Sequence, residues 1–301
     1  MDVSKYRKET TQELKAAADR APSKEARARS ADAGTLERAG ASGAERLETV
    51  RAMSRQVTSE PQNIDRLIAV LGDRSQPADV RIAALDGLQA ATFLVQEFAP
   101  KRPEYLETLR SVIDDPDRTL RRRALGVLAR EKDEYVQRRL IEGLEHPSKA
   151  LVSPAKAIQY LGYDVHAEYF PLLRRLVENP PTLSAQEEAI RILAADPKSR
   201  TLLTRILKDR EQPRRARYMS ALSLQSLAPE QFQTVARSIA LDDDEDDRLR
   251  VASLTALTHY SKPEATPKQA TFTRQVEKLE EGSSSSEVKR ASKTYVARAR
   301  R

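Results

Sequence analysis

The sequence predicts an all-α chain of stacked antiparallel helix pairs, and three observations predict it. Apolar residues recur every three to four positions over most of the chain, and no alternating strand pattern occurs. A phrase seen best at Ile113–Arg130 ends one helix, turns at Asp115-Pro116 and starts another on Leu120, Ala124, Leu125, Val127 and Leu128. Similar phrases come back at intervals, the mark of a repeat architecture.

Composition agrees. Of 301 residues, 32% are charged and 39% apolar, against about 25% and 45–50% in ordinary globular domains. A stack in which each repeat touches only its neighbours tolerates that balance. Trp is absent and Phe occurs 5 times, so Leu, Val, Ile and Ala must form the core. The absence of Cys excludes disulfides, Cys-ligated zinc and a cysteine nucleophile, and fits a reducing compartment. Met1–Lys8 has no signal-peptide character, and no apolar run approaches the roughly 20 residues of a membrane span. A cytoplasmic protein with no membrane association is expected.

Taken in order, Val3–Arg20 reads as a weakly amphipathic helix on Val3, Tyr6 and Leu14, and Ala21–Gly43 as a flexible linker. Residues 1–43 are therefore expected to be a weakly helical, largely flexible tail. Leu47, Val50, Met53 and Val57 give a first packed helix that ends before Pro61. Helix pairs then fill 44–262: Ile64–Leu85, Tyr105–Arg130, Tyr135–Leu161, Tyr169–Leu193, Leu202–Leu222 and Val235–Ala252. In the third, Ser153-Pro154 fits an N-cap followed by Pro at the first helical position. Residues 263–301 form a capping hairpin with a basic end, turning at Gly282–Ser286.

The second helices are expected to open on Val80-Arg81, Leu120-Arg121, Leu151-Val152, Arg214-Arg215, Leu249-Arg250 and Val288-Lys289. Successive starts lie 40, 31, 63, 35 and 39 residues apart, the 63 spanning two units because the fourth lacks a basic pair. Two-helix repeats have periods of about 33–47 residues.

An Asp that ends one helix, then Val-Arg or Leu-Arg followed by Ala-Leu, resembles the HEAT/armadillo-like helical-repeat family. HEAT repeat domain-containing proteins and the PBS-lyase HEAT-like group are the resemblance. It implies a right-handed α-solenoid of antiparallel helix pairs, a HEAT-like superhelix of ARM type, whose second helices line the concave face. It also implies a structural ladder of Asp73 with Arg81, Asp115 with Arg121, Asp209 with Arg215, and Asp242 with Arg250.

Catalytic and metal motifs are missing. Asp242–Asp247 lacks the Gly and the terminal bidentate acid of a calcium loop and reads as a solvated acidic loop. His146, His166 and His259 belong to no His-Glu-x-x-His motif, and the nine glycines form no phosphate loop. No catalytic residue, no metal and no cofactor is expected, and the chain is expected not to be an enzyme.

The remaining signal is charge. The chain carries +7, concentrated in Lys289, Arg290, Lys293, Arg298, Arg300 and Arg301. Arg121, Arg122, Arg123, Arg214, Arg215 and Arg217 are expected to border one partner-binding groove. The expected function is a non-catalytic scaffold or adaptor that holds an acidic protein partner. Alternatives are nucleic-acid binding through a basic stripe, weak and non-specific, and a bilin-lyase-like helper enzyme.

Overall fold

A computed structural model describes residues 34–38, 40–164, 168–260 and 267–300. These residues are helices and short connections, with no strand among them. The amphipathic Val3–Arg20, most of the expected linker, and His166 lie outside the described residues. The chain divides into two compact units, residues 1–124 and 125–301.

The first unit holds α1 (Gly34–Glu37), α2 (Gly43–Gln56), α3 (Asn63–Gly72), α4 (Ala78–Ala91), α5 (Val95–Phe98) and α6 (Arg102–Val112). Helix α7 (Arg118–Arg130) contains the boundary between the units. Gly34–Glu37, inside the stretch expected as linker, is helical, with Thr35 buried. Ser42 and Glu45 form a capping box that starts α2. Helix α4 packs on α3 and on α2. The close α2–α4 approach depends on Gly87, where a Cβ would overlap the Ser54 side chain, lying 2.8 Å from its Cβ. The core is Val50, Met53, Leu67, Leu71, Leu85, Leu88 and Leu109, all sealed from solvent.

The second unit continues with α8 (Glu134–Glu145), α9 (Pro154–Leu161), α10 (Phe170–Glu178), α11 (Leu183–Leu193), α12 (Arg200–Lys208), α13 (Arg214–Leu227), α14 (Pro229–Leu241), α15 (Asp247–Tyr260), α16 (Pro267–Gly282) and α17 (Ser286–Ala299). They pair as α8–α9, α10–α11, α12–α13, α14–α15 and α16–α17, and each second helix from α9 to α17 packs on the next. Helix α9 opens at Pro154, not at Leu151-Val152: the proline fixes the first helical position, and the two apolar residues sit half-buried in the bend before it. Tyr169 fills the space between α9 and α10, its hydroxyl donating to the carbonyls of Leu161 at 2.6 Å and Asp164 at 2.5 Å. Burial pushes that phenol far above its usual range, with the Asp164 charge adding to the effect.

The repeats share one internal register. Counted from the start of α4, α7, α11, α13, α15 and α17, and with α9 departing from the pattern, the third residue is buried and apolar: Val80, Leu120, Ala185, Ala216, Leu249 and Val288. The seventh is small and buried, as Ala84, Ala124, Ala189, Ser220, Ser253 and Ser292. Small side chains at this point let adjacent second helices approach.

Candidate functional site

The fourth residue of the second helices carries the polar ladder. Arg81 Nε donates to the carbonyl of Leu71 at 2.9 Å, Gln186 Nε2 to Val177 at 3.0 Å, Arg217 Nε to Leu207 at 2.9 Å and Arg250 Nε to Ala240 at 3.5 Å. Each acceptor is the next-to-last residue of the preceding first helix, whose final carbonyls have no partner within the helix. Three of these side chains, Arg81, Gln186 and Arg217, then reach into the following repeat, while Arg250 takes Asp243 in the turn before its own helix. Arg81 Nη1 lies 2.6 Å from Asp115 Oδ2, both side chains about 95% buried, at 5% and 4% exposure. Arg217 grips Glu245 with two nitrogens on two oxygens, at 2.8 and 2.5 Å. Gln186 reaches Gln212 at 3.3 Å. At the start of the first unit, Arg46, the fourth residue of α2, bonds Gln76 at 3.0 Å and the carbonyl of Leu36 at 3.0 Å.

The expected pairs inside single repeats are therefore rearranged. Asp73 turns its carboxylate to its own loop, accepting from Ser75 N at 2.9 Å and Gln76 Nε2 at 3.1 Å. These bonds, first of all those from Ser75, hold it below the usual carboxylate range. Arg121 bonds the carbonyl of Asp115, while the Asp115 carboxylate serves Arg81. Asp209 accepts from Glu211 N and Gln212. Arg215 is largely exposed and pairs with Glu187 at 2.7 Å. Asp242 pairs with Arg210, and Arg250 takes Asp243 at 2.7 Å.

The buried residues Arg217 and Gln186 were not singled out for the ladder from sequence. A signal exists: Gln76-Pro77 and Gln212-Pro213 each precede the buried Arg by the same spacing.

The acidic run Asp242–Asp247 is occupied by arginines. Arg210, Arg250, Arg217 and Arg214 meet Asp242, Asp243, Glu245 and Asp246 respectively. No cluster of metal-ligating side chains occurs among the described residues.

The six arginines expected to form one groove differ in environment. Arg217 is buried in the ladder and unavailable to a partner. Arg123 bridges to Asp86 at 2.5 Å, Arg214 to Asp246 at 3.4 Å and Arg215 to Glu187. Arg122 is exposed and Arg121 half-buried. Residues 121–123 belong to the first unit and 214–217 to the second.

Two surfaces stand out instead. In the second unit, the fifth, sixth and ninth residues of α11, α13, α15 and α17 are half-buried or exposed. They are Glu187, Glu188 and Arg191 on α11, Tyr218, Met219 and Leu222 on α13, Val251, Ala252 and Thr255 on α15, and Arg290, Ala291 and Thr294 on α17. An apolar band thus lies between a charged, mostly acidic band and a basic one. On α17 the cations Lys289, Arg290, Lys293 and Arg298 have no ion-pair partner among the described residues.

In the first unit, a cleft of about 550 Å³ runs between α2 and α4, lined by Leu47, Arg51, Ile82, Ala83, Asp86 and Ala90 among others. Beyond it stand Phe93 and Val95, 86% and 70% exposed, the most exposed large apolar side chains of the described chain.

No protein-family model matches the chain. No curated protein matches it either. Among solved structures it is similar to human deoxyhypusine hydroxylase in complex with glycerol, at 13% identity and a TM-score of 0.35, over 81% of this chain and 99% of that one. That protein is a HEAT-repeat helical protein, and at this distance the likeness transfers no residue and no activity. The match does correct one expectation. The matched protein is an enzyme, so helical-repeat architecture is no ground for holding this chain to be a non-enzyme, and that assignment is withdrawn.

Proposed function

We propose that the chain is a protein-binding scaffold or adaptor that works through the outward faces of its second helices. The observation that carries this reading is the band of Tyr218, Met219, Leu222, Val251 and Ala252 beside the unpaired cations of α17. Protein interfaces combine an apolar, aromatic-bearing centre with a charged rim that sets orientation and association rate. The preferred partner surface has apolar anchors flanked by carboxylates. A stripe reading nucleic-acid phosphates is less well supported, because Arg123, Arg214, Arg215 and Arg217 are each engaged by a carboxylate. No helix of the described residues is long and apolar enough to cross a membrane. A chain without cysteine suits a reducing compartment, and we keep the cytoplasm as its location.

Affinity capture from cell extract, compared between the wild type, Leu222→Asp and the double variant Arg290→Glu/Lys293→Glu, tests the reading. A partner set lost from both variants supports it. An unchanged set, or recovery of nucleic acid that survives 0.15 M salt, overturns it.

A further inference from the structure

We infer that the outer side of α17 is a seat for an acidic helix of another protein, placed where an interior repeat receives its successor. This deepens the protein-binding reading by naming the kind of segment taken at its basic end, and rests on that reading.

The seat emerges when α17 is set beside the other second helices. Their fourth residue is the one that reaches forward: Arg81 meets Asp115, Gln186 meets Gln212 and Arg217 meets Glu245, each in the turn that opens the next second helix. The eighth residue stands one helical turn further on, along the same line. In α4, α7, α11, α13 and α15 it is Leu85, Leu125, Ile190, Ala221 and Leu254, all buried. On α17 the third, seventh, tenth and eleventh residues keep the interior pattern, as buried Val288, Ser292, Tyr295 and Val296. The forward line does not. Its fourth residue is Lys289, half-buried, and its eighth is Lys293, exposed. Two lysines thus stand where interior helices hand on the ladder and then bury an apolar side chain.

Charge and register choose the occupant. From Gln269 to Arg300 the hairpin carries seven cations and four carboxylates, an excess of +3. Lys289, Lys293 and the neighbouring Arg290 have no ion-pair partner among the described residues, and Glu277 of α16 is taken by Arg300 at 2.7 Å. Glu287, the one acid of α17, precedes Lys289 by two residues and so lies off that line. Interior joints show what a forward cation takes there: Asp115 answers Arg81, and Glu245 answers Arg217. A second helix also packs on each one before it from α9 to α17. A helix laid on α17 in the same way meets both lysines with carboxylates at i and i+4, the spacing of the lysines themselves. Tyr295 is buried, so α17 offers no aromatic face to a nucleic-acid base. Its exposed side chains include no apolar one larger than Ala297 to enter a bilayer. A second copy continuing the stack brings no carboxylate, because Ala41 stands before α2 where Gln76, Gln212 and Glu245 stand before α4, α13 and α15.

The test pans a displayed library of randomised helical peptides of 14 residues, the length of α17, against the full chain and against its Lys289→Glu/Lys293→Glu variant. A labelled selected peptide is then followed by fluorescence anisotropy. Peptides selected on the wild type should carry Asp or Glu at i and i+4, and those selected on the reversed chain Lys or Arg there. Lys293 is exposed and unpaired, so Lys293→Ala should leave the thermal melt unchanged while weakening binding roughly fivefold. The double reversal should weaken it more than about fiftyfold, and Leu222→Asp should leave it unchanged. Absence of enrichment, enriched peptides without the acidic pair, or acidic peptides indifferent to the lysine variants overturns the seat. Peptides that ignore the lysine variants but are lost with Leu222→Asp sink the seat and leave the scaffold reading standing. Duplex DNA that binds in 0.15 M salt and is lost with the double reversal would give these cations to phosphate and overturn the proposal as well.

Discussion

Arg217 on one second helix and Glu245 in the turn before the next are joined by two parallel hydrogen bonds, with both side chains almost wholly buried. The pair ties one repeat to its successor. Removing one partner leaves a buried charge uncompensated, so Glu245→Ala should cost about 3–5 kcal/mol in chemical denaturation. Replacing both with Met at 217 and Leu at 245 should cost far less, because it removes the desolvated charges together.

The same pair sets a response to acid. Burial pushes the Glu245 carboxyl up, but the hydrogen bond and charge of Arg217, with the Asp246 amide, more than offset it, and the net shift is downward from 4.5. A carboxyl with a lowered folded pKa stabilises above its unfolded value, and the contribution disappears as pH falls through the folded value. Melts of the wild type and Glu245→Gln should differ by a constant amount above about pH 5, and the gap should close on acidification below the ordinary glutamate value of about 4.3. A gap that widens in acid would contradict this.

Ion pairs outside the ladder should behave differently. Arg123 and Asp86 lie 2.5 Å apart but are 42% and 54% exposed. A double-mutant cycle to Ala should return less than about 1 kcal/mol. Asp115→Ala, which strands the buried Arg81, should cost several times more.

Leu125 is sealed from solvent. Leu125→Ala should destabilise by about 2–5 kcal/mol. A loss under roughly 0.5 kcal/mol would belong to a surface position.

Gly87→Ala adds a methyl where Ser54 already stands. Helix propensity favours Ala by about 1 kcal/mol, yet overpacking costs about 1–3 kcal/mol, so the net change should be destabilising. Ser54→Gly in the same chain should recover part of the loss, and purely additive changes would deny the contact.

The helices were legible because their cause is local. Spacing of apolar residues, and turns marked by Asp and Pro, placed α3, α4, α6 and α7 close to where they lie. Phase within a run of like residues was not local. Arg214, Arg215 and Arg217 all read as basic, and which one turns inward is set by Pro213 fixing the helix start, with Leu207 and Glu245 waiting as acceptors. Gln186 escaped notice because a neutral side chain replaces a charged one. The α2–α4 cleft was invisible for another reason. It is made by Ala83, Gly87 and Ala90 lacking bulk opposite Ser54 and Leu47, residues some thirty positions away in the chain. Phe93 reads as one more apolar residue until its turn is seen to point outward.

The ladder also makes the repeats an ordered set. Arg81 is answered by Asp115 and Arg217 by Glu245, charge with charge, while neutral Gln186 is answered by neutral Gln212. Every such joint is keyed to its own neighbour. Exchanging the turn and second helix at 209–227 with those at 242–260 would set Glu245 against Gln186, a buried carboxylate with no cation to meet it. Growth of such a chain by duplicating an internal unit must therefore copy the knuckle and its socket from adjacent repeats together, or the new seam carries a mismatched charge.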